Sequence, residues 1–201
     1  MTVEEFFYKI DNIVVSAYQE RAFSNNDWEE NIRLANEKLA SESDFINEAT
    51  ADWTVEDWKN LFRCQINHGD PEIYGFVAEK IMDLTSGEFF RECIKENTEL
   101  LMQDVYTSSD KDVLYRSDVL HGAVKALNCI SSGTANSEVL AAFDACASTN
   151  EHILYDLAKY AAMHCSEKIP ELILNESVDG DKLIALISMC VLYGKRSEEM
   201  F

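Results

Sequence analysis

Seven glycines and two prolines are all that punctuate 201 residues, and between them apolar side chains return every three or four positions rather than every second. That spacing turns one face of an α-helix inward and gives a β-strand no consistent face, so it selects helix throughout. Val3, Phe6, Phe7, Ile10, Val14, Ala17 and Tyr18 form the first such stripe. Thr2 and Glu5 ahead of it have the spacing of a reciprocal side-chain cap, which predicts a helix over roughly 2–22.

A second helix is expected over about 27–41, after the polar turn Ser24-Asn25-Asn26, with Trp28, Ile32, Ala35 and Leu39 along one face. Thr54 and Asp57 repeat the cap spacing ahead of Phe62 and Ile66. Gly69-Asp70-Pro71 then reads as a helix end followed by an Asp cap and a first-turn proline. Gly87 divides the next two helices, the later one running to about Tyr106, and a sixth carries Leu120, Val124 and Leu127 as far as Gly133. Asn136-Ser137 and Thr149-Asn150 open two more, and Pro170 is expected to break the chain near Ile169. The segment LIALISMCVLY after Gly180 is apolar on nearly every side, which predicts a central buried helix too short to span a membrane. The expected fold is all-α, one helical domain over 1–201: an antiparallel array of about nine helices, either an α-solenoid or an irregular bundle.

Charge narrows the partners. Seventeen Lys and Arg stand against 37 Asp and Glu, a formal net charge of -20 that repels nucleic acid and anionic membrane and favours a basic protein partner. The six cysteines never pair as Cys-x-x-Cys and sit inside helical patterns, as small buried hydrophobes do in a reducing compartment. MTVEEFFYKIDNIVV is acidic where a secretory signal would be basic, so a cytoplasmic location is expected.

Chemistry-bearing patterns are sparse. His68, His121, His152 and His164 form no His-Glu-x-x-His or related spacing, and Asp118-x-x-His121 supplies two potential ligands, which is too few for a metal site. His164 and Cys165 adjoin in sequence, but neighbours on a helix point about 100° apart, so adjacency is not a nucleophile–base contact. Gly-rich phosphate loops, nucleophile elbows and acidic calcium loops are missing. No catalytic, cofactor or metal site is expected, and the chain reads as a binding protein rather than an enzyme, unless distant residues assemble a site that no motif betrays.

The most unusual stretch is Leu39 to Trp58, which holds Glu42, Asp44, Glu48, Asp52, Glu56 and Asp57 with no Lys or Arg, interleaved with Phe45, Trp53 and Trp58. Carboxylates steer a cationic partner and a tryptophan anchors it, so Glu48, Asp52, Trp53, Glu56, Asp57 and Trp58 are the candidate partner-binding residues. The same pattern also describes two core tryptophans beneath a solvated acidic face.

Two resemblances follow. VLHGAVKALNCISS (Val119 to Ser132) set over ILYDLAKYAAMHCS (Ile153 to Ser166), an offset of 34 residues, is similar to HEAT or armadillo-like repeats. Both copies carry small packing residues and a lysine, Lys125 or Lys159, at one position. That similarity implies a helical-repeat scaffold or adaptor. Small size, high acidity, a helical scaffold and absent chemistry together resemble the immunity proteins of bacterial toxin systems. This second resemblance, one of type that carries over no residue, implies an inhibitor that occludes a cognate basic, nuclease-like toxin domain.

Overall fold

The computed structural model describes residues 1–19, 28–68, 74–130, 133–174 and 179–194. Among these it contains helices and no strand: α1 (Val3–Gln19), α2 (Trp28–Ser41), α3 (Ser43–Ala49), α4 (Val55–Asn67), α5 (Gly75–Thr85), α6 (Glu88–Asn97), α7 (Lys111–Asn128), α8 (Asn136–Ala145), α9 (Glu151–His164), α10 (Ile169–Ile173) and α11 (Gly180–Tyr193). Eleven helices thus replace the nine expected among the described residues. The additions are α3, formed inside the acidic stretch, and α10. The break expected near Ile169 is present, α9 ending at His164 and a 3-10 turn Ser166–Lys168 following, and Pro170 then opens α10, because a first-turn proline has no N–H to lose.

The caps explain why several elements start where they do. The Thr2 N–H donates to Glu5 Oε2 at 2.9 Å and the Glu5 N–H donates to Thr2 Oγ1 at 3.2 Å. Thr54 and Asp57 make the same reciprocal pair ahead of α4, and Asp110 and Asp179 accept first-turn N–H groups of α7 and α11. The fifth expected helix does not run through to Tyr106. It ends at Asn97 and continues as two short 3-10 turns, Thr98–Met102 and Val105–Thr107. The Ser24-Asn25-Asn26 turn and the Gly69-Asp70-Pro71 signal lie outside the described residues, as do the side chains of Trp28 and Ile32.

Phe6, Phe7, Ile10 and Val14 of α1 open a buried apolar cluster that continues without interruption to Ala185 and Leu186 of α11. Along it α1 packs on α2 and α4, α4 on α5 and α7, α7 on α9, and α9 on α11. In addition α5 packs on α6, α6 on α7 and α8, and α8 on α9. The segment read as a central buried helix is therefore corrected: α11 lies at the edge, packing chiefly on α9 through Lys182, Ala185 and Leu186, and Ile184, Ile187, Val191 and Leu192 are exposed. An all-round apolar sequence does not reveal which face will find a neighbour. No described helix is long and apolar enough to cross a membrane.

Candidate functional site

The acidic stretch divides into residues that build the fold and residues left to the surface. Trp58 is 3% exposed and belongs to the core. Trp53 is half-buried and stacks edge-on to Phe6 at 4.9 Å and to Trp58 at 5.0 Å, so the two tryptophans bridge α1 and α4. Asp57 closes the α4 cap, and its bonds from the Thr54 backbone and hydroxyl hold its carboxyl below the ordinary range. Glu56 is hydrogen-bonded to Arg63, which likewise lowers its pKa. That leaves Glu48 and Asp52, with Glu42 and Asp44, exposed and without an ion pair among the described residues.

A groove of about 520 Å³ lies between α2, α3, α4 and α5, with Ser43, Ile46, Asn47 and Thr50 of the acidic stretch in its lining, next in sequence to these carboxylates. Leu39, Ile46, Trp58 and Phe76 supply its apolar surface, with the Trp58 and Phe76 rings edge-on at 6.3 Å. Asn47, Thr50, Glu79 and Lys80 supply polar groups, and Cys129 at the end of α7 completes the lining. Asn36 holds the wall together, its Oδ1 accepting the Gly75 N–H at 2.9 Å across α2 and α5. An apolar surface of aromatic and aliphatic side chains beside a few polar groups suits a single inserted side chain, and the surrounding charge suits a cation next to it.

Of the six candidate residues, then, Trp58 lines the groove, Glu48 lies on α3 between the groove residues Asn47 and Thr50, and Asp52 and Trp53 lie on the turn that leads to α4. Glu56 and Asp57 are occupied with Arg63 and Thr54. Sequence reasoning missed Asn36, Phe76, Glu79 and Lys80. Nothing local marks them, because their place in the groove depends on α5 crossing α2 and α4.

Two of the four histidines tie helices together. His121 is buried on α7, and its Nε2 lies 2.7 Å from Asp156 Oδ2 on α9, not against Asp118 of its own helix. Asn128 donates to the Asp156 carbonyl at 2.9 Å, so the pair ties α7 to α9. Burial raises the Asp118 carboxyl, partly offset by His121. His68 stacks on Phe7 with ring centres 4.8 Å apart and meets the Tyr8 hydroxyl at 3.4 Å. The Cys165 thiol beside His164 is buried and pushed up to about 11, the opposite of what a thiolate nucleophile requires. Among the described residues no three His, Cys, Asp or Glu side chains are placed to hold a metal ion. Compared with known protein families, curated proteins and solved structures, the chain matches none.

Proposed function

We propose that the chain is a protein-binding protein that receives a basic partner at the acidic margin of the α2–α5 groove, and that it acts as an immunity protein occluding a cognate nuclease-like toxin domain. The observation that carries this reading is that Glu42, Asp44, Glu48 and Asp52, exposed and without an ion pair among the described residues, alternate in sequence with Ser43, Ile46, Asn47 and Thr50, which line a groove holding Trp58 and Phe76. In this mechanism the carboxylates stand where substrate phosphates would stand and draw the cationic surface in from solution. One apolar side chain of the partner then seats against Trp58 and Phe76, where water is excluded. Charge sets the rate of arrival and the groove sets the rate of departure.

The test is capture of partners from a lysate of the source, including the products of neighbouring genes, at low and high salt, followed by binding kinetics with the captured protein. A one-to-one complex weakened by salt is expected. The double variant Glu48→Lys/Asp52→Lys should slow association by about tenfold or more with little change in dissociation. Rates indifferent to both salt and charge reversal would remove the electrostatic mechanism.

A second reading, a helical-repeat scaffold, is favoured by one specific observation. At the offset of 34, Leu120, Ala123, Val124, Ala126 and Leu127 of α7 align with Leu154, Leu157, Ala158, Tyr160 and Ala161 of α9, and all ten are buried. A scaffold would bind across several helices with only modest salt dependence.

A further inference from the structure

Two polar groups in the lining of the α2–α5 groove are each fixed in one hydrogen-bonding sense. Asn36 Oδ1 accepts the Gly75 N–H at 2.9 Å, which orients the amide and leaves its Nδ2, a donor with no partner among the described residues. Gly75 has no side chain to stand between α2 and α5, and a Cβ there would lie 3.3 Å from that same Oδ1. At the end of α3 the Thr50 hydroxyl donates to the Ile46 carbonyl at 2.8 Å, so its oxygen can only accept from anything else. An extended peptide carries the matching pair at every residue, a carbonyl for the donor and an N–H for the acceptor. A helix does not offer them, because its main-chain groups are spent internally. The groove's 520 Å³ falls in the range of about 300–1,000 Å³ that encloses more than one side chain.

We infer, resting on the basic-partner reading, that the groove takes a short extended segment of that partner and reads its main chain through Asn36 Nδ2 and Thr50 Oγ1. One apolar residue of the segment seats against Trp58 and Phe76, whose rings meet edge-on at 6.3 Å, with Leu39 and Ile46 completing the surface. Charge decides what flanks it. Glu79 lines the groove, and Glu42 and Asp44 adjoin the lining residue Ser43 in sequence; all three are exposed and unpaired among the described residues. Against them the lining holds one lysine, Lys80. Basic residues on either side of the apolar one complement that surplus. Because every sequence has the same main chain, Asn36 and Thr50 contribute affinity, while the apolar seat and the flanking charges supply selectivity.

The probe is a short capped peptide, a phenylalanine with arginines on both sides, labelled for fluorescence anisotropy and titrated with the full chain at low and high salt. Companion peptides carry one N-methyl group at the phenylalanine or at either neighbour, which removes an N–H and keeps every charge and side chain. At least one of them should bind about tenfold more weakly. Asn36→Asp separates the main chain from charge. It keeps an acceptor for the Gly75 N–H, loses the donor and adds a negative charge. Attraction by charge alone would tighten the cationic peptide, whereas loss of the main-chain contact weakens it about tenfold, and weakening is expected. Thr50→Val keeps the shape, loses the oxygen and should act in the same direction. Thermal unfolding checks both variants, and if Asn36→Asp does not fold, Thr50→Val and the methylated peptides still read the contact. Binding that salt weakens, but that N-methylation and both variants leave unchanged, would overturn the inference and leave the basic-partner reading standing. Binding indifferent to salt, yet weakened by N-methylation and by both variants, would uphold the main-chain contact and remove the basic partner. A peptide that does not bind at millimolar concentration would overturn the inference outright.

Discussion

Asn150 is 0% exposed and spends its whole amide on backbone groups. Its Nδ2 donates to the Leu101 carbonyl at 3.1 Å and the Gln103 carbonyl at 2.8 Å, and its Oδ1 accepts the Val105 N–H at 3.3 Å. One side chain thus holds the irregular link between α6 and α7 against the start of α9. Asn150→Ala should lower stability by about 3 kcal/mol in urea unfolding, because it strands buried donors and acceptors rather than exchanging one bond for another. Gln65 on α4 is the converse case. It is 1% exposed with neither amide atom hydrogen-bonded, so Gln65→Met should raise stability by about 1 kcal/mol in the same assay. Neither role was legible in the sequence, where Asn150 reads as part of a helix-opening signal and no pattern singles out Gln65. The burial of a polar side chain is decided by what packs over it.

At the scale of elements, local chemistry predicts boundaries well wherever a cap or a turn is built from neighbours in sequence. Thr54→Ala should cost about 1 kcal/mol, measured by thermal or urea unfolding, because α4 loses the acceptor for its Asp57 N–H. The same cap is pH-sensitive. Asp57 titrates below its unfolded value, so its contribution is present above the ordinary carboxylate range and is lost as pH falls through the folded pKa. Between α5 and α6 the chain turns through two left-handed residues, Ser86 at φ 51° and Gly87 at φ 77°. A Cβ on Gly87 would lie 2.8 Å from Met82 Sδ and 3.0 Å from Thr134 Oγ1. Gly87→Ala should therefore destabilise by about 2 kcal/mol, part backbone strain and part displaced side chains. The glycine was readable as a separator, whereas its contact with Thr134, from a segment 47 residues later, was not. Elements missed for the same reason include α3, whose charges masked a helix held by Ile46 against the core.

For the molecule as a whole, burial of weak acids predicts how it fails at high pH. Thiols that ordinarily ionise near 9.0 are pushed up to about 12 at Cys93 and Cys146 and to about 11 at Cys165, and the Tyr160 phenol rises from 10.0 to about 12, in every case chiefly through burial. The folded chain therefore keeps protons that the unfolded chain releases, and stability falls as pH rises from about 9 toward 12. Each group that has ionised only in the unfolded state removes ~1.4 kcal/mol per pH unit. Urea midpoints should decline steeply above pH 9.0, and Cys93→Ala should make that decline shallower even while lowering stability at neutral pH.

The sequence alone determined the all-helical class, most of the helix starts, the acidity and the absence of any recognisable catalytic motif, because each depends on periodicity, capping or composition within a few residues. It also located the acidic stretch that borders the groove. Only the tertiary structure decided which of those charges stay free, since Arg63 and Thr54 claim Glu56 and Asp57 while Glu48 and Asp52 find no partner among the described residues. It decided, too, that Trp58 serves the core and the groove at once, and that an equally apolar α11 lies at the edge with one face open to solvent. A helix periodicity states that a face must be covered. What covers it is a matter of long-range packing between segments whose proximity no local pattern encodes.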